Sequence, residues 1–88
     1  MKFKARIEVR LKKDELDPEG ETVRKSLVDL NLPVSHVRVS KVYEITFEEK
    51  SRKDAEAMVK LFCTRLLVNP TKDEYRSEVV EVGGSTKS

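Results

Sequence analysis

Phe3, Ala5, Ile7, Val9 and Leu11 alternate with Lys4, Arg6, Glu8, Arg10 and Lys12. A period of two across nine residues is a strand with one apolar and one charged face, and it excludes a helix. The apolar face needs a covering layer, and the rest of the chain supplies helix-length segments for it. Leu16-Asp17-Pro18 reads as a helix start. Asp17 caps the free N–H groups, Pro18 loses nothing by lacking its own, and Glu19 and Glu21 sit where the helix dipole favours negative charge. Val23, Leu27 and Leu30 follow at i, i+4, i+7, giving a helix to about Asn31, with Leu32-Pro33 ending it.

From Val34 to Glu49 the alternation returns in Val37, Val39, Tyr43, Ile45 and Phe47, interrupted at Ser40-Lys41. This reads as a strand, a tight turn or bulge, and a second strand, or as one long bent strand. Ser51-Arg52-Lys53-Asp54 caps a second helix, whose apolar face is Ala55, Met58, Val59, Phe62 and Leu66. Asn69-Pro70 stops it near Val68, and Tyr75 to Val82 forms a last strand. The expected fold is α+β: a ferredoxin-like β-α-β-β-α-β order, an antiparallel sheet with two helices on one face. Residues 1–82 form a single domain, and the polar tail 83–88 is expected to fray.

Valine supplies 12 of the 25 Leu, Ile, Val and Phe residues, in keeping with a sheet-based core. Eighteen basic and sixteen acidic side chains leave a net charge of +2, so no one-signed nucleic-acid footprint is present. The N-terminus holds no apolar run of a signal peptide, and no stretch reaches the ~20 residues of a membrane helix. A cytoplasmic protein without membrane or nucleic-acid partners is the expectation.

Little in the chain suggests catalysis. Cys63 is the only cysteine and His36 the only histidine, so an internal disulfide, a Cys-based zinc site and a histidine pair for zinc are all unavailable. Cys63 flanks the apolar helix face and reads as a half-buried structural thiol. Asp14, Glu15, Asp17, Glu19 and Glu21 crowd the first loop, but their spacing matches no calcium loop, and with one glycine, Gly20, they make no phosphate cradle. No metal site is expected. Lys2, Lys4, Arg6, Arg10 and Lys12, with Glu8, form a basic stripe on the polar face of the first strand. It either contacts a polyanion or solvates the sheet by pairing with Glu44 and Glu48. Ala57, Leu61 and Val68 form a second apolar strip on the second helix, read as a protein contact or as scattered surface hydrophobes.

Four strings together resemble the PurS family, the small subunits of phosphoribosylformylglycinamidine (FGAM) synthase. They are Val9-Arg10-Leu11-Lys12-Lys13, Leu16-Asp17-Pro18-Glu19-Gly20-Glu21-Thr22-Val23, Val37-Arg38-Val39-Ser40-Lys41 and Leu66-Leu67-Val68-Asn69-Pro70. The resemblance implies a subunit of de novo purine biosynthesis with no catalytic residue and no cofactor of its own. Its partners would be a large synthetase subunit, which binds ATP and Mg²⁺, and a glutaminase subunit that releases ammonia from glutamine. PurS would join the two, aid ammonia transfer, and form a homodimer or dimer of dimers. Asp17, Pro18, Gly20, Arg38, Lys41, Asn69 and Pro70 carry over as family-motif positions. Arg38 and Lys41, with Ala57, Leu61 and Val68, are the interface candidates. Ser40 stands where the family usually has glycine, so a positive backbone angle there would be strained. The alternative readings are a ferredoxin-like RNA-binding module and an ACT-like small-molecule regulatory domain.

Overall fold

The computed structural model describes residues 1–83. Its elements are β1 (Lys2–Leu11), α1 (Pro18–Asp29), β2 (Ser40–Glu48), α2 (Arg52–Phe62), continued by a π-helical turn (Cys63–Leu67), and β3 (Asp73–Glu81). The sheet is antiparallel in the order β2-β1-β3. The alternating strand is central because it alone pairs on both sides. Phe3, Ala5 and Ile7 are fully buried, and Val9 nearly so.

The core lies on the α2 side of the sheet. Ala55, Val59 and Cys63 project from the helix onto Phe3, Ala5, Ile7, Val9 and Val79. Phe62 meets Phe47 edge-on at 5.3 Å, and Phe47 stacks obliquely on Phe3 at 6.0 Å, so an aromatic chain pins helix to sheet. Cys63 is fully buried rather than half-buried, and burial pushes its thiol pKa up. At the adjacent valines, Val79 points inward and Val80 outward.

The α+β, ferredoxin-like class expected from the sequence is the one found, with two local differences. The described residues form three strands. Val37–Val39 are irregular, because the Val39 N–H is taken by the Asp17 carboxylate at 2.9 Å before regular pairing begins at Ser40. The second difference is the place of α1. Gly20 is its one buried residue, while Val23, Val28 and Leu30 are 40%, 42% and 67% exposed. In this chain α2 alone covers the sheet.

The molecule is elongated as a result. Its Cα radius of gyration is 17.0 Å, against about 12 Å for a compact chain of this size. Its longest axis, 51 Å, matches a ten-residue strand and a twelve-residue helix laid end to end. The C-terminus of α1 closes by a Schellman motif. Asn31 sits at φ 65°, Leu32 N–H donates to Leu27 O, and Asn31 N–H donates to Val28 O. Asn31 is the only described non-glycine residue with positive φ, so Ser40 begins β2 without strain. The polar tail expected at 83–88 lies, beyond Gly83, outside the described residues.

Phe3 ties β1, β2 and α2 together. Phe3→Ala is expected to cost about 3–5 kcal/mol, enough to unfold much of so small a domain, as urea unfolding followed by circular dichroism would show.

Candidate functional site

Asp17 is where the helix and the sheet meet. One carboxylate oxygen accepts from Gly20 N–H at 2.9 Å, capping α1, and the other accepts from Val39 N–H at 2.9 Å, holding the approach to β2. These two hydrogen bonds, with the charge of Arg38 nearby, lower the Asp17 pKa below the usual aspartate value. Gly20 is required by space rather than by angle. A Cβ there would collide with the carbonyl oxygen of Val37 and crowd the Asp17 carboxylate. Pro18 occupies the first helical turn, where no N–H is missed. The Asp-Pro-x-Gly string therefore describes a helix start pressed against the backbone that leads into β2.

Arg38 belongs to the same joint. Its guanidinium donates to Leu11 O at 2.7 Å and Lys12 O at 3.0 Å, closing the end of β1 onto the segment before β2. The resemblance makes Arg38 an interface candidate, and the structure gives its guanidinium this internal task. Lys41 is exposed and lines a cleft of about 320 Å³ with Asp17, Pro18, Val39, Leu67 and Asp73. Asn69 and Pro70 form the turn into β3. Asn69 Oδ1 accepts from Thr71 N–H, Asp73 accepts from Asn69 N–H, and Pro70 O accepts from Lys12 Nζ.

The apolar strip on α2 is divided. Ala57 is exposed on the flank toward β3, with Arg52, Lys60 and Tyr75. Leu61 lies on the opposite flank, and Val68 folds inward against the core. Leu66 was expected on the core face, yet it is 82% exposed. The cause is the π-helical turn: Val68 N–H bonds to Cys63 O, five residues back, and the wider turn rotates Leu66 outward while Leu67 faces in. Leu61 and Leu66 thus share an apolar groove of about 370 Å³ with Ile45, Met58, Phe62, Arg65 and Leu67. A regular 3.6-residue period conceals most of this groove; Leu61, on the second apolar strip, and the adjacent Leu66-Leu67-Val68 triplet are its traces in the sequence.

The basic stripe on the other sheet face is neutralised in register. Arg6 lies between Glu44 and Glu78, and Arg10 bonds Glu74 at 2.8 Å beside Ser40. Lys4 approaches Glu44 at 3.9 Å. Rows of alternating sign solvate a sheet, whereas a polyanion would meet an acid beside each of these arginines. Among the described residues no group of three or more His, Cys, Asp or Glu side chains is placed to hold a metal ion. No described helix is long and apolar enough to cross a membrane.

Comparison with known proteins agrees with this geometry. The model of the family described as PurS, phosphoribosylformylglycinamidine (FGAM) synthase, matches residues 4–81. The chain belongs to the PurS family. It is 40% identical over 81 residues to the FGAM synthase subunit PurS of Bacillus subtilis, covering 91% of this chain and 95% of that one. The structure of Thermus thermophilus PurS superimposes with a TM-score of 0.81 at 37% identity, over 94% of this chain and 100% of that one. A chain from the structure of PurLQS from Thermotoga maritima gives 0.82 at 32% identity, over 91% and 99%. The joint at Asp17 and Gly20 lies within the matched residues 4–81.

Two substitutions test the joint. Alanine is the better helix former, but Gly20→Ala is expected to lower the melting temperature, because the clash with Val37 must be relieved by moving α1. Asp17 has a depressed folded-state pKa. Its ionised form therefore stabilises the fold above the unfolded-state value, and that contribution is lost as pH falls through the folded value. The melting temperature of Asp17→Asn should accordingly fall less steeply than that of the native chain between about pH 5 and pH 2.

Proposed function

We propose that this chain is the non-catalytic small subunit of an FGAM synthase, acting in de novo purine biosynthesis as the piece that joins an ATP-dependent synthetase subunit to a glutaminase subunit. Family membership over residues 4–81 carries the reading. The match to a chain from the structure of PurLQS from Thermotoga maritima adds support. The surface fits an assembly role. Leu61 and Leu66, exposed at 45% and 82%, line one apolar groove, and a contiguous exposed apolar surface of this kind supports a contact with another protein.

Self-association belongs to the same proposal. With α1 off its own sheet, Tyr43, Ile45 and Phe47 are only half-buried and the α1 stripe is bare, so the single chain leaves apolar surface that a second chain covers. Arg38 acts in this scheme by fixing the joint. Lys41, Ala57 and Leu61, by contrast, present themselves for contact. ATP, Mg²⁺ and glutamine are used by the partner subunits, and ammonia passing between them is aided by the assembly that this chain completes.

Glutamine-dependent FGAM synthesis by the synthetase and glutaminase subunits, with and without this chain, is the test. Activity from glutamine and a three-component peak on size exclusion should both require the chain, while activity from added ammonia should not. Full coupling from glutamine without it would refute the proposal.

A further inference from the structure

Backbone groups along β3 alternate between the sheet and its free edge. Lys12 N–H donates to Lys72 O and Val82 N–H to Lys2 O, each at 2.8 Å, so the even-numbered residues of β3 bond to β1. The odd-numbered ones, Tyr75, Ser77 and Val79 among them, turn their N–H and C=O groups outward. At Val79 the carbonyl is already used, because the Arg52 guanidinium donates to it at 2.6 Å. Tyr75 and Ser77 keep both backbone groups unpaired among the described residues. Beside this edge α2 walls a cleft of about 620 Å³, with Val59 at its base and Ala57 and Lys60 on its flank. Helix and strand run in opposite directions here, from Arg52 at Val79 to Leu67 near Asp73. Lys60, about 12 Å along α2 from Arg52, therefore comes level with Tyr75, about 13 Å along β3 from Val79. Lys60 is exposed and forms no ion pair among the described residues.

An open row of backbone donors and acceptors is matched by another extended backbone. We infer that residues 75–79 receive a strand from a partner subunit, which lengthens the sheet beyond β3. That strand sets a carboxylate side chain against Lys60 and an apolar one over Ala57 and Tyr75, because side chains opposite the odd-numbered residues project into the cleft. A second copy of this chain is a poor occupant. A two-fold pair of β3 edges centred on Ser77 would set Glu56 against Glu56 and Lys60 against Arg52, like charge on like. A strand from a different chain escapes that constraint. Arg52 fixes where the strand stops, since its guanidinium occupies the Val79 carbonyl and closes the edge there. The inference rests on the assembly role proposed above and assigns a surface to it.

Two variants of the full chain test it. Ser77→Pro deletes one outward N–H and leaves the bonds to β1 intact, and an edge position of this orientation tolerates proline. Lys60→Glu reverses the charge beside the cleft. Both are titrated against the purified synthetase and glutaminase subunits and followed by size exclusion. Each should weaken incorporation of the chain roughly 10-fold or more, with circular dichroism and self-association as in the native chain. Native-level incorporation of either folded variant would overturn the strand addition and leave the assembly role standing. Loss of self-association in place of incorporation would put a second copy on the edge and overturn it equally. A native chain that joins no complex with the two subunits would overturn the assembly role and the inference with it. Should Ser77→Pro lose its fold, amide hydrogen exchange on the native chain decides. The amides of Tyr75, Ser77 and Val79 should gain protection on complex formation, while those of Arg76 and Glu78, already bonded to β1, should not change. Unchanged exchange at the odd-numbered positions contradicts the strand addition.

Discussion

Two hydrogen bonds to one carboxylate decide the shape of this molecule. Asp17 must satisfy the first turn of a helix and the backbone entering a strand, and it does both because Gly20 lets the two approach within contact distance. Remove that joint and the path of α1 is open. With it, α1 departs from the end of the sheet, the core is left to α2 alone, and the chain carries apolar surface that a single copy cannot bury. The elongated outline and the groove beside α2 both follow from this one constraint.

The core was legible in the sequence because it rests on simple periods. The alternation from Phe3 to Leu11 fixed the central strand and its buried face, and Ala55 and Val59 fell on the helical face that covers it. Caps were equally plain: Asp17, Ser51 and the Asn69-Pro70 stop act as local chemistry requires. Three features were not legible. Val37 and Val39 alternate like a strand, but a long-range hydrogen bond to Asp17, 22 residues away, claims the backbone there. Leu66 fits the helical face until a π-helical turn rotates it away. The departure of α1 is invisible in its own stripe, since an amphipathic helix has the same pattern whether its apolar face meets its own sheet or another chain.

Of the family positions, the structure gives Asp17, Gly20, Asn69 and Arg38 direct tasks in the fold, all at the end of the sheet where β1 finishes and β2 and β3 begin. For an assembly subunit, such a joint does more than hold the chain together. A helix whose first turn is tied to the end of the sheet has less conformational freedom to lose if a partner covers it. The charged sheet face, with its rows of alternating sign, stays solvated and leaves the apolar work to the other side.

The central claim is that α1 stands off its own sheet. A distance measurement by pulsed electron resonance between labels at Asp29→Cys and Lys53→Cys of one chain, diluted into excess unlabelled chain, tests it directly. Native Cys63 is buried, with its thiol pKa raised, and should stay unlabelled in the folded protein. The account predicts a separation well beyond the ~10 Å of helices packed side by side. A separation near that packing distance within one chain would mean that α1 covers its own sheet, and the account would fail.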